Sequence, residues 1–260
     1  MLYTRVISAL IGAPLLLLLI FQGGWYLFIG ALSVVLTGQF EFYELLAKRG
    51  FTGQRILGYL TAIGVMWCFY RHKLDLVPHF FCLLIVIMCF RQMLHWDKTY
   101  NNIDDLTGTL LGVLYPGLLF AYIFLVHRLG IVHLLLVFVI SWANDTCAYF
   151  IGNNFGKRPF FPAVSPKKTL EGAIGGLAAS TIVATLFSSW LGMHALQLAI
   201  LGFFLGCTNQ IGDLTESMLK RYAGVKDSGR LIPGHGGVLD RFDGILFTLP
   251  LAYLLFSLLG

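Results

Sequence analysis

Carboxylates and a cation recur at helical spacing in the segment NQIGDLTESMLKR. Asp213, Glu216, Ser217 and Lys220 stand at positions i, i+3, i+4 and i+7, which lie on one face of a helix. That face presents two carboxylates, a hydroxyl group and an ammonium group together. Carboxylates bind hard divalent cations and an ammonium group binds phosphate, so this spacing favours chemistry on a phosphorylated substrate.

A second acidic pair lies in the segment GVLDRFDG, where Asp240 and Asp243 are three residues apart. The two carboxylates share one face if a helix begins near Leu239. Hard oxygen ligands from two separate helices suit a divalent cation that keeps bound waters and accepts substrate phosphates, which describes Mg²⁺ better than Zn²⁺. The two segments therefore predict a magnesium site.

The chain between these carboxylates is basic and rich in glycine, and it contains Lys226 and Arg230. In the turn PGHGG, Gly236 and Gly237 permit positive φ angles and close backbone approach, the geometry in which successive N–H groups form an anion-binding nest. Phosphate is the predicted guest, although a Pro-Gly pair is also typical of an ordinary turn. His235 by itself is typical of a hydrogen-bonding loop residue.

A second basic segment, SPKKTLEG, precedes an apolar stretch. Ser165 or Thr169 is predicted to cap the helix that starts there. Lys167 and Lys168 then stand at the positive end of that helix, where backbone amides, the helix dipole and ammonium groups hold an anion together. This segment is predicted to be a second phosphate contact.

Acidic residues of the C-terminal half lie within or beside glycine-rich or basic segments. A carboxylate at helix depth in lipid is costly, so such a residue faces an interior or a water-filled cavity. Asn144 and Asp145 lie inside an apolar helix, and the predicted site is their expected polar neighbour. A structural ion pair is the alternative for any one carboxylate. The full acidic set is Asp145, Glu171, Asp213, Glu216, Asp227, Asp240 and Asp243.

Two acidic residues of the N-terminal half, Glu41 and Glu44, are interpreted differently. Glu44 and Lys48 are four residues apart, a spacing that favours a salt bridge along a helix. Both carboxylates are therefore predicted to lie at a solvated helix end and not in the site.

The elements that must position these residues are membrane-spanning helices. Apolar residues form 57% of the chain and charged residues 12%, with a mean hydropathy of +0.78, whereas soluble domains carry roughly 25% charged residues. The predicted fold is an all-α, polytopic integral membrane protein. The small-xxx-small spacing of GAIGG and GFFLG predicts tight helix packing. Windows of about 20 apolar residues predict about nine transmembrane helices, near residues 5–22, 25–46, 56–70, 78–94, 106–126, 131–151, 170–191, 195–216 and 243–259.

The motifs that carry chemistry begin near residue 140. Residues 1–139 are predicted to form N-terminal transmembrane helices, about five and the start of a sixth, and residues 140–260 a C-terminal catalytic transmembrane region. The first apolar stretch is interpreted as a retained span and not as a signal peptide, because no convincing small-residue cleavage site follows it.

Basic residues predict the orientation. With nine spans, the N-terminus and the loops after spans 2, 4, 6 and 8 share one side. Of the 18 Lys and Arg residues, only Arg71, Lys73 and Arg128 fall on the other side. The positive-inside rule therefore predicts a cytoplasmic N-terminus and two cytoplasmic basic loops. The alternative is that these cations only orient the protein or contact lipid headgroups.

The segment from Ser217 to Asp243 resembles the signature of the phosphatidate cytidylyltransferases, also called CDP-diacylglycerol synthases. A Ser, two residues and Lys-Arg are followed by Lys-Asp, by a turn with His-Gly-Gly, and by Asp-Arg-x-Asp. The segments NDTCAYFIG and SPKKTLEG also resemble parts of that family, so the similarity covers residues 140–260.

The resemblance implies a membrane enzyme that joins CTP to phosphatidate and releases CDP-diacylglycerol and diphosphate with Mg²⁺. Asp213 and Asp240 are the expected metal ligands, with a second cation as an option, and Lys220 and Arg241 are expected to act beside them in catalysis. The other expected substrate contacts are Asn144, Asp145, Ser165, Lys167, Lys168, Thr169, Glu171, Glu216, Ser217, Arg221, Lys226, Asp227, His235, Gly236, Gly237 and Asp243.

The resemblance also sets the expected surroundings. The enzyme is expected in the bacterial inner membrane, in contact with membrane lipids, as a homodimer whose active site faces the cytoplasm, and no nucleic acid is expected as a partner. A CTP-dependent lipid or polyprenol kinase is the nearest alternative, and it would release CDP where a cytidylyltransferase releases diphosphate. A transporter is a further alternative, although transporters more often repeat their broken helices in both halves of the chain.

Overall fold

The computed structural model describes residues 2–51, 53–94, 102–229, 231 and 236–259, and the chain is helical over most of them. A short 3₁₀ turn covers Leu74–Leu76, and a π-helical turn covers Val113–Leu118. Pro116 lies in that π turn, where its missing N–H disturbs regular α-helical bonding. The helices are α1 (Leu2–Gln22), α2 (Gly24–Ala47), α3 (Arg55–Tyr70), α4 (Val77–Leu94), α5 (Asn102–Gly112), α6 (Leu119–Leu129), α7 (Ile131–Phe155), α8 (Leu170–Leu186), α9 (Ser188–Leu191), α10 (Ala195–Tyr222) and α11 (Leu239–Leu259).

Several of these helices have the length and apolar character of membrane spans. Among the described residues, six stretches qualify: Gly24–Ala47, Leu74–Leu94, Ile103–Leu129, Ile131–Phe155, Ala195–Tyr222 and Leu239–Leu259. Three shorter apolar helices cover Leu10–Gln22, Arg55–Tyr70 and Leu170–Leu186. The predicted spans fall on these helices, so the chain has the helical pattern of a membrane protein. The count of nine spans and the side of the N-terminus stay predictions.

A short antiparallel hairpin departs from the all-α prediction. Strand β1 (Pro159–Phe161) pairs with β2 (Ser165–Thr169), with Pro159 opposite Thr169 and Phe161 opposite Ser165. The segment PFFPAVSPKK contains three prolines, which remove amide donors and prevent a helix from forming between α7 and α8. The hairpin ends where α8 begins, so the two lysines of SPKKT lie beside a helix N-terminus.

The first compact unit contains Met1–Leu125 and Ala223–Asp240. Its core includes Val35, Met66 and Val113, which are fully or almost fully buried. At the cytoplasmic end predicted for α2, Glu44 forms a salt bridge with Arg55 at 2.6 Å. The predicted Glu44–Lys48 pair is therefore wrong, because the guanidinium group at the start of α3 takes the Glu44 carboxylate.

The second compact unit contains Val126–Tyr222 and Arg241–Gly260. Helices α7, α8 and α10 pack tightly there because glycines line their contacts. A side chain at Gly176 would meet Asn144, and a side chain at Gly206 would meet Ser180. The tight packing predicted from GAIGG and GFFLG is confirmed. The predicted functional division at residue 139 rests on the distribution of motifs and stays a prediction.

Candidate functional site

A cavity of about 680 Å³ lies in the second unit among α7, α8, α10 and the hairpin. Small-molecule sites commonly have volumes of roughly 300–1,000 Å³, so a ligand of that class fits. The cavity brings together predicted residues from three separate segments, namely Asn144, Asp145, Lys167, Lys168, Thr169 and Asp213. Its other lining residues are Ala148, Tyr149, Gly152, Asn153, Phe160, Gly172, Ala173, Gln210 and Leu214.

The hairpin brings two cations to the start of α8. Thr169 is the N-cap of α8, and its hydroxyl oxygen accepts a hydrogen bond from the Gly172 amide at 3.2 Å. Thr169, and not Ser165, is therefore the capping residue. Lys167 is exposed and Lys168 is half-buried, and both line the cavity. The predicted arrangement of two ammonium groups beside a helix N-terminus is confirmed.

Two other predicted residues fix the hairpin and do not line the cavity. The Glu171 carboxylate accepts the backbone amides of Lys157 at 3.0 Å and Arg158 at 3.2 Å. The Arg221 side chain donates to the Val164 carbonyl oxygen at 3.1 Å. These bonds tie the hairpin to α8 and α10, so Glu171 and Arg221 have a clear structural role.

A network of hydrogen-bonded, largely buried polar side chains fixes residues of the cavity wall. The Asn144 amide group donates to the Ser180 hydroxyl at 2.8 Å, and Gln210 donates to the Asn144 side-chain oxygen at 3.3 Å. Asn209, which is fully buried, donates to the Asp145 carboxylate at 2.7 Å. Sequence reasoning identified Asn144 and Asp145 but missed Asn209 and Gln210. The pair "NQ" inside the apolar helix α10 was the available signal, because unpaired amides at helix depth are costly.

Three carboxylates of the second unit are electrostatic neighbours. The charge of Asp213 repels the carboxylates of Asp145 and Asp243. The positive charges of Lys168 and Arg241 attract the Asp145 carboxylate. The Asp213 carboxylate also forms an ion pair with the Lys168 ammonium group. Over the residues that the structure describes, no group of three or more His, Cys, Asp or Glu side chains is close enough to hold a metal ion. The acidic cluster of Asp145, Asp213 and Asp243 is thus partly neutralised by Lys168 and Arg241.

The predicted helix face on α10 is formed, but its members have different partners. Glu216 is completely buried, and its carboxylate forms an ion pair with Lys220 one turn later. A buried carboxylate needs such a partner. Ser217 is half-buried beside this pair. Lys220 was expected to contact substrate phosphates, and in the structure its ammonium group neutralises Glu216.

The predicted nest in the first unit has an intramolecular partner. Gly236 has a φ of 87°, which confirms the expected left-handed conformation. The Gly237 amide donates to the Asp240 carboxylate at 2.8 Å, and the Ser228 amide donates to the same oxygen at 2.9 Å. The amides of Gly236 and Gly237 were expected to hold a substrate phosphate. The anion that the Gly237 amide holds is the carboxylate of Asp240.

The remaining residues of the signature are exposed or lie outside the described part of the chain. Lys226 and Asp227 are exposed. His235 and Arg230 lie outside the described residues. Helix α11 begins at Leu239, as the spacing of Asp240 and Asp243 requires. Asp240 belongs to the first unit and Asp213 to the second, so their joint binding of one cation stays a prediction.

Sequence reasoning missed Glu41. The prediction of a solvated helix end is wrong for Glu41, which is only 4% exposed. Its carboxylate accepts the amides of Val238 at 2.9 Å and Leu239 at 2.8 Å. The partners are about 200 residues away in sequence, so no local pattern could identify them.

The fold and the cavity define a class of protein. Two apolar helices long enough to cross a membrane, α7 and α10, line a cavity together with α8 and the hairpin, and its wall carries two lysines, a helix N-terminus and carboxylates. Such a protein has the helical pattern of a membrane protein, and its polar site suits a phosphorylated ligand.

The chain belongs to the cytidylyltransferase family, whose family model matches residues 3–259. The resemblance seen in residues 140–260 is thereby confirmed and extends over nearly the whole chain.

Curated relatives in three bacteria carry the name phosphatidate cytidylyltransferase. The Synechocystis sp. protein is 34% identical over 285 aligned positions, which cover 96% of this chain and 94% of the relative. The Staphylococcus haemolyticus protein is 34% identical over 256 positions, with 97% and 96% covered. The Bacillus subtilis protein is 36% identical over 180 positions, with 67% and 66% covered.

Proposed function

We propose that this chain is a phosphatidate cytidylyltransferase. An oxygen of the phosphatidate phosphate attacks the α-phosphorus of CTP and forms a new phosphorus–oxygen bond. The bond between that phosphorus and the oxygen bridging to the β-phosphate breaks, and diphosphate leaves. The observation that carries this proposal is the cavity in which Lys167, Lys168 and Asp213 meet, in a chain of the cytidylyltransferase family.

The task of the protein in this reaction is to position and neutralise two polyanions. Phosphatidate is already ionised at neutral pH, so no residue is assigned as general base. Lys167 and Lys168 hold phosphate oxygens at the positive end of α8. Because Lys168 is paired with Asp213, an arriving phosphate exchanges one anionic partner of Lys168 for another.

We also propose Mg²⁺ as the cofactor, with Asp213 and Asp240 as its protein ligands and a second cation as an option. Asp213 and Asp145 line one cavity and supply hard oxygen donors. A cation held by few carboxylates, with waters and substrate phosphates completing its shell, is the binding mode that Mg²⁺ prefers. When bound, Mg²⁺ would supply positive charge where the two substrates repel each other.

The other polar residues of the site are proposed to contact the substrates or to support the residues that do. Arg221, Lys226 and Arg241 are exposed, and in this proposal they are further contacts of the substrate phosphates. Lys220 neutralises the buried Glu216, and in this proposal it acts in catalysis beside Asp213 on the same helix. The further proposed substrate contacts are Asn144, Asp145, Ser165, Thr169, Glu171, Ser217, Asp227, His235, Gly236, Gly237 and Asp243. In this proposal the enzyme is a homodimer in the bacterial inner membrane, with its site facing the cytoplasm.

The test is a product analysis of the purified protein in detergent with CTP, phosphatidate and Mg²⁺. We expect diphosphate and CDP-diacylglycerol in equal amounts. Release of CDP with a newly phosphorylated lipid would identify a kinase, and no turnover of either kind would overturn the proposal.

Two variants test the proposed ligands. Asp213→Asn and Asp240→Asn keep the side-chain shape and remove one negative charge each, so we expect turnover to fall by about 100-fold or more while the protein still folds. Turnover within about threefold of the parent protein at ordinary Mg²⁺ would remove that carboxylate from the cation site.

A further inference from the structure

Glu41 holds the start of α11. Its carboxylate accepts hydrogen bonds from two consecutive amides, Val238 through one oxygen and Leu239 through the other. Amides at a helix N-terminus have no partner within the helix, and a carboxylate there is favourable for that reason and because of the helix dipole. Glu41 therefore fixes the position at which α11 begins, one residue before Asp240.

Ser228 joins Glu41 to Asp240. Its hydroxyl oxygen lies 3.1 Å from the Glu41 carboxylate and 2.9 Å from the Asp240 carboxylate. A hydroxyl group has one proton to donate, so it bonds one carboxylate at a time and stays within reach of both. The same Asp240 oxygen also accepts the amides of Ser228 and Gly237. The orientation of Asp240 therefore depends on Ser228 and Gly237, two residues that contact Glu41.

The backbone at Gly229 and Gly237 packs directly against the Glu41 side chain. A side chain added at Gly229 or Gly237 would collide with the Glu41 carboxylate. Glu44 lies one turn away on the same helix, and it is half-buried and pairs with Arg55. Glu41, in contrast, is buried and accepts backbone amides. The chain thus offers a matched control for removal of the Glu41 charge.

We infer that Glu41 is a positioning residue for Asp240, acting through Ser228 and the first amides of α11. The inference rests on the proposed function, in which Asp240 is a ligand of the cation that the two substrates share. Glu41→Gln keeps the shape of the side chain but replaces one acceptor oxygen by an NH₂ group. That group would face a backbone N–H donor, and a buried donor would lose its partner.

The experiment compares Glu41→Gln, Glu41→Asp, Ser228→Ala and Glu44→Gln in the full chain. For each variant, kcat, the KM for CTP, the Mg²⁺ concentration at half-maximal activity and the melting temperature are measured. We expect Glu41→Gln to lower kcat at least about tenfold and to raise the Mg²⁺ requirement, with the KM for CTP changed by less than about threefold. Glu41→Asp should recover part of the loss, and Glu44→Gln should stay within about twofold of the parent protein.

A double-mutant cycle then tests the route through Ser228. We expect Glu41→Gln and Ser228→Ala together to lower kcat by less than the product of the two single losses, because both break one connection. Multiplicative losses, or a lower melting temperature at unchanged kcat per folded molecule, would overturn the inference. If Glu41→Gln does not fold, Ser228→Ala decides alone: an unchanged kcat and Mg²⁺ requirement would overturn it.

The two proposals fail in different ways. Failure of the proposed function appears as a parent protein that releases no diphosphate, and failure of the proposed ligand pair appears as an Asp240→Asn variant with full activity. Failure of the present inference leaves Asp240→Asn inactive while Glu41→Gln remains active.

Discussion

Lys168 of β2 and Asp213 of α10 form an ion pair at the wall of the cavity. Their side chains are 29% and 35% exposed, so water screens much of the attraction. An ion pair of this kind contributes about 0–1 kcal/mol to stability. Its value to the protein is therefore better explained by the proposed binding roles, because the pair keeps a cation proposed to bind phosphate and a carboxylate proposed to bind metal at one position before substrate arrives.

The first prediction concerns the shape of the cations in the hairpin. Lysine is a compact point charge and arginine is a planar fork, so the two are not equivalent where a phosphate must fit closely. We expect Lys167→Arg and Lys168→Arg each to lower kcat at least about tenfold, which corresponds to about 1.4 kcal/mol of barrier. The measurement is steady-state diphosphate release by the purified variants.

The matched control is Lys48→Arg, which alters an exposed lysine of the first unit. Its turnover should equal that of the parent protein. If all three substitutions behave alike, the basic hairpin serves to orient the protein in its membrane, and its assignment to the substrate site is wrong.

The second prediction concerns the network behind the cavity. Asn209→Asp removes the amide donor to Asp145 and sets two carboxylates in contact in a buried place, so both the orientation and the charge of Asp145 are disturbed. We expect kcat per folded molecule to fall at least about tenfold and the melting temperature to fall as well. Asn154→Asp makes the same chemical change at an exposed position, and it should alter neither quantity. An Asn209→Asp variant with full activity would show that Asp145 needs no support.

Local patterns predicted the parts of the site that local physics determines. Thr169 caps α8 because a hydroxyl group preceding a helix can accept an amide within three residues, and α11 begins where the Asp240–Asp243 spacing requires. The hairpin between α7 and α8 was missed because its proline-rich strands show neither helical nor alternating hydrophobic periodicity. For the cap of α8 and the start of α11, neighbouring residues carry most of the information.

Partners distant in sequence could not be predicted in this way. Glu41 looked like a solvated residue at a helix end, and only the fold brings Val238 and Leu239 to it. Lys220 has the right charge and spacing for a phosphate contact, yet a buried Glu216 on the same helix takes its ammonium group. A pattern gives the chemical type of a residue, whereas competition among charged groups in three dimensions decides its partner.

The third prediction concerns the glycine beside Asp240. Gly237→Ala would drive a methyl group into Ser228 and Glu41, so the amide that holds Asp240 must move. We expect diphosphate release to fall at least about tenfold. Gly12→Ala serves as the control, because a methyl group there meets no atom within 4 Å, and its activity should be unchanged. Equal activities of the two variants would mean that the backbone around Gly237 adapts without loss.

The last prediction tests the orientation in the membrane, which rests on the distribution of Lys and Arg. Asn154, in the last turn of α7, and Lys226 are exposed residues of the two basic segments. In a variant whose own five cysteines have been replaced, a single cysteine at either position should react with a membrane-impermeant maleimide only after the cells are opened. A cysteine at Lys73, which the nine-span topology predicts on the outer side, should react in intact cells. Labelling of the Asn154 or Lys226 position in sealed cells would contradict the nine-span topology and move the cationic cavity away from the cytoplasmic CTP pool.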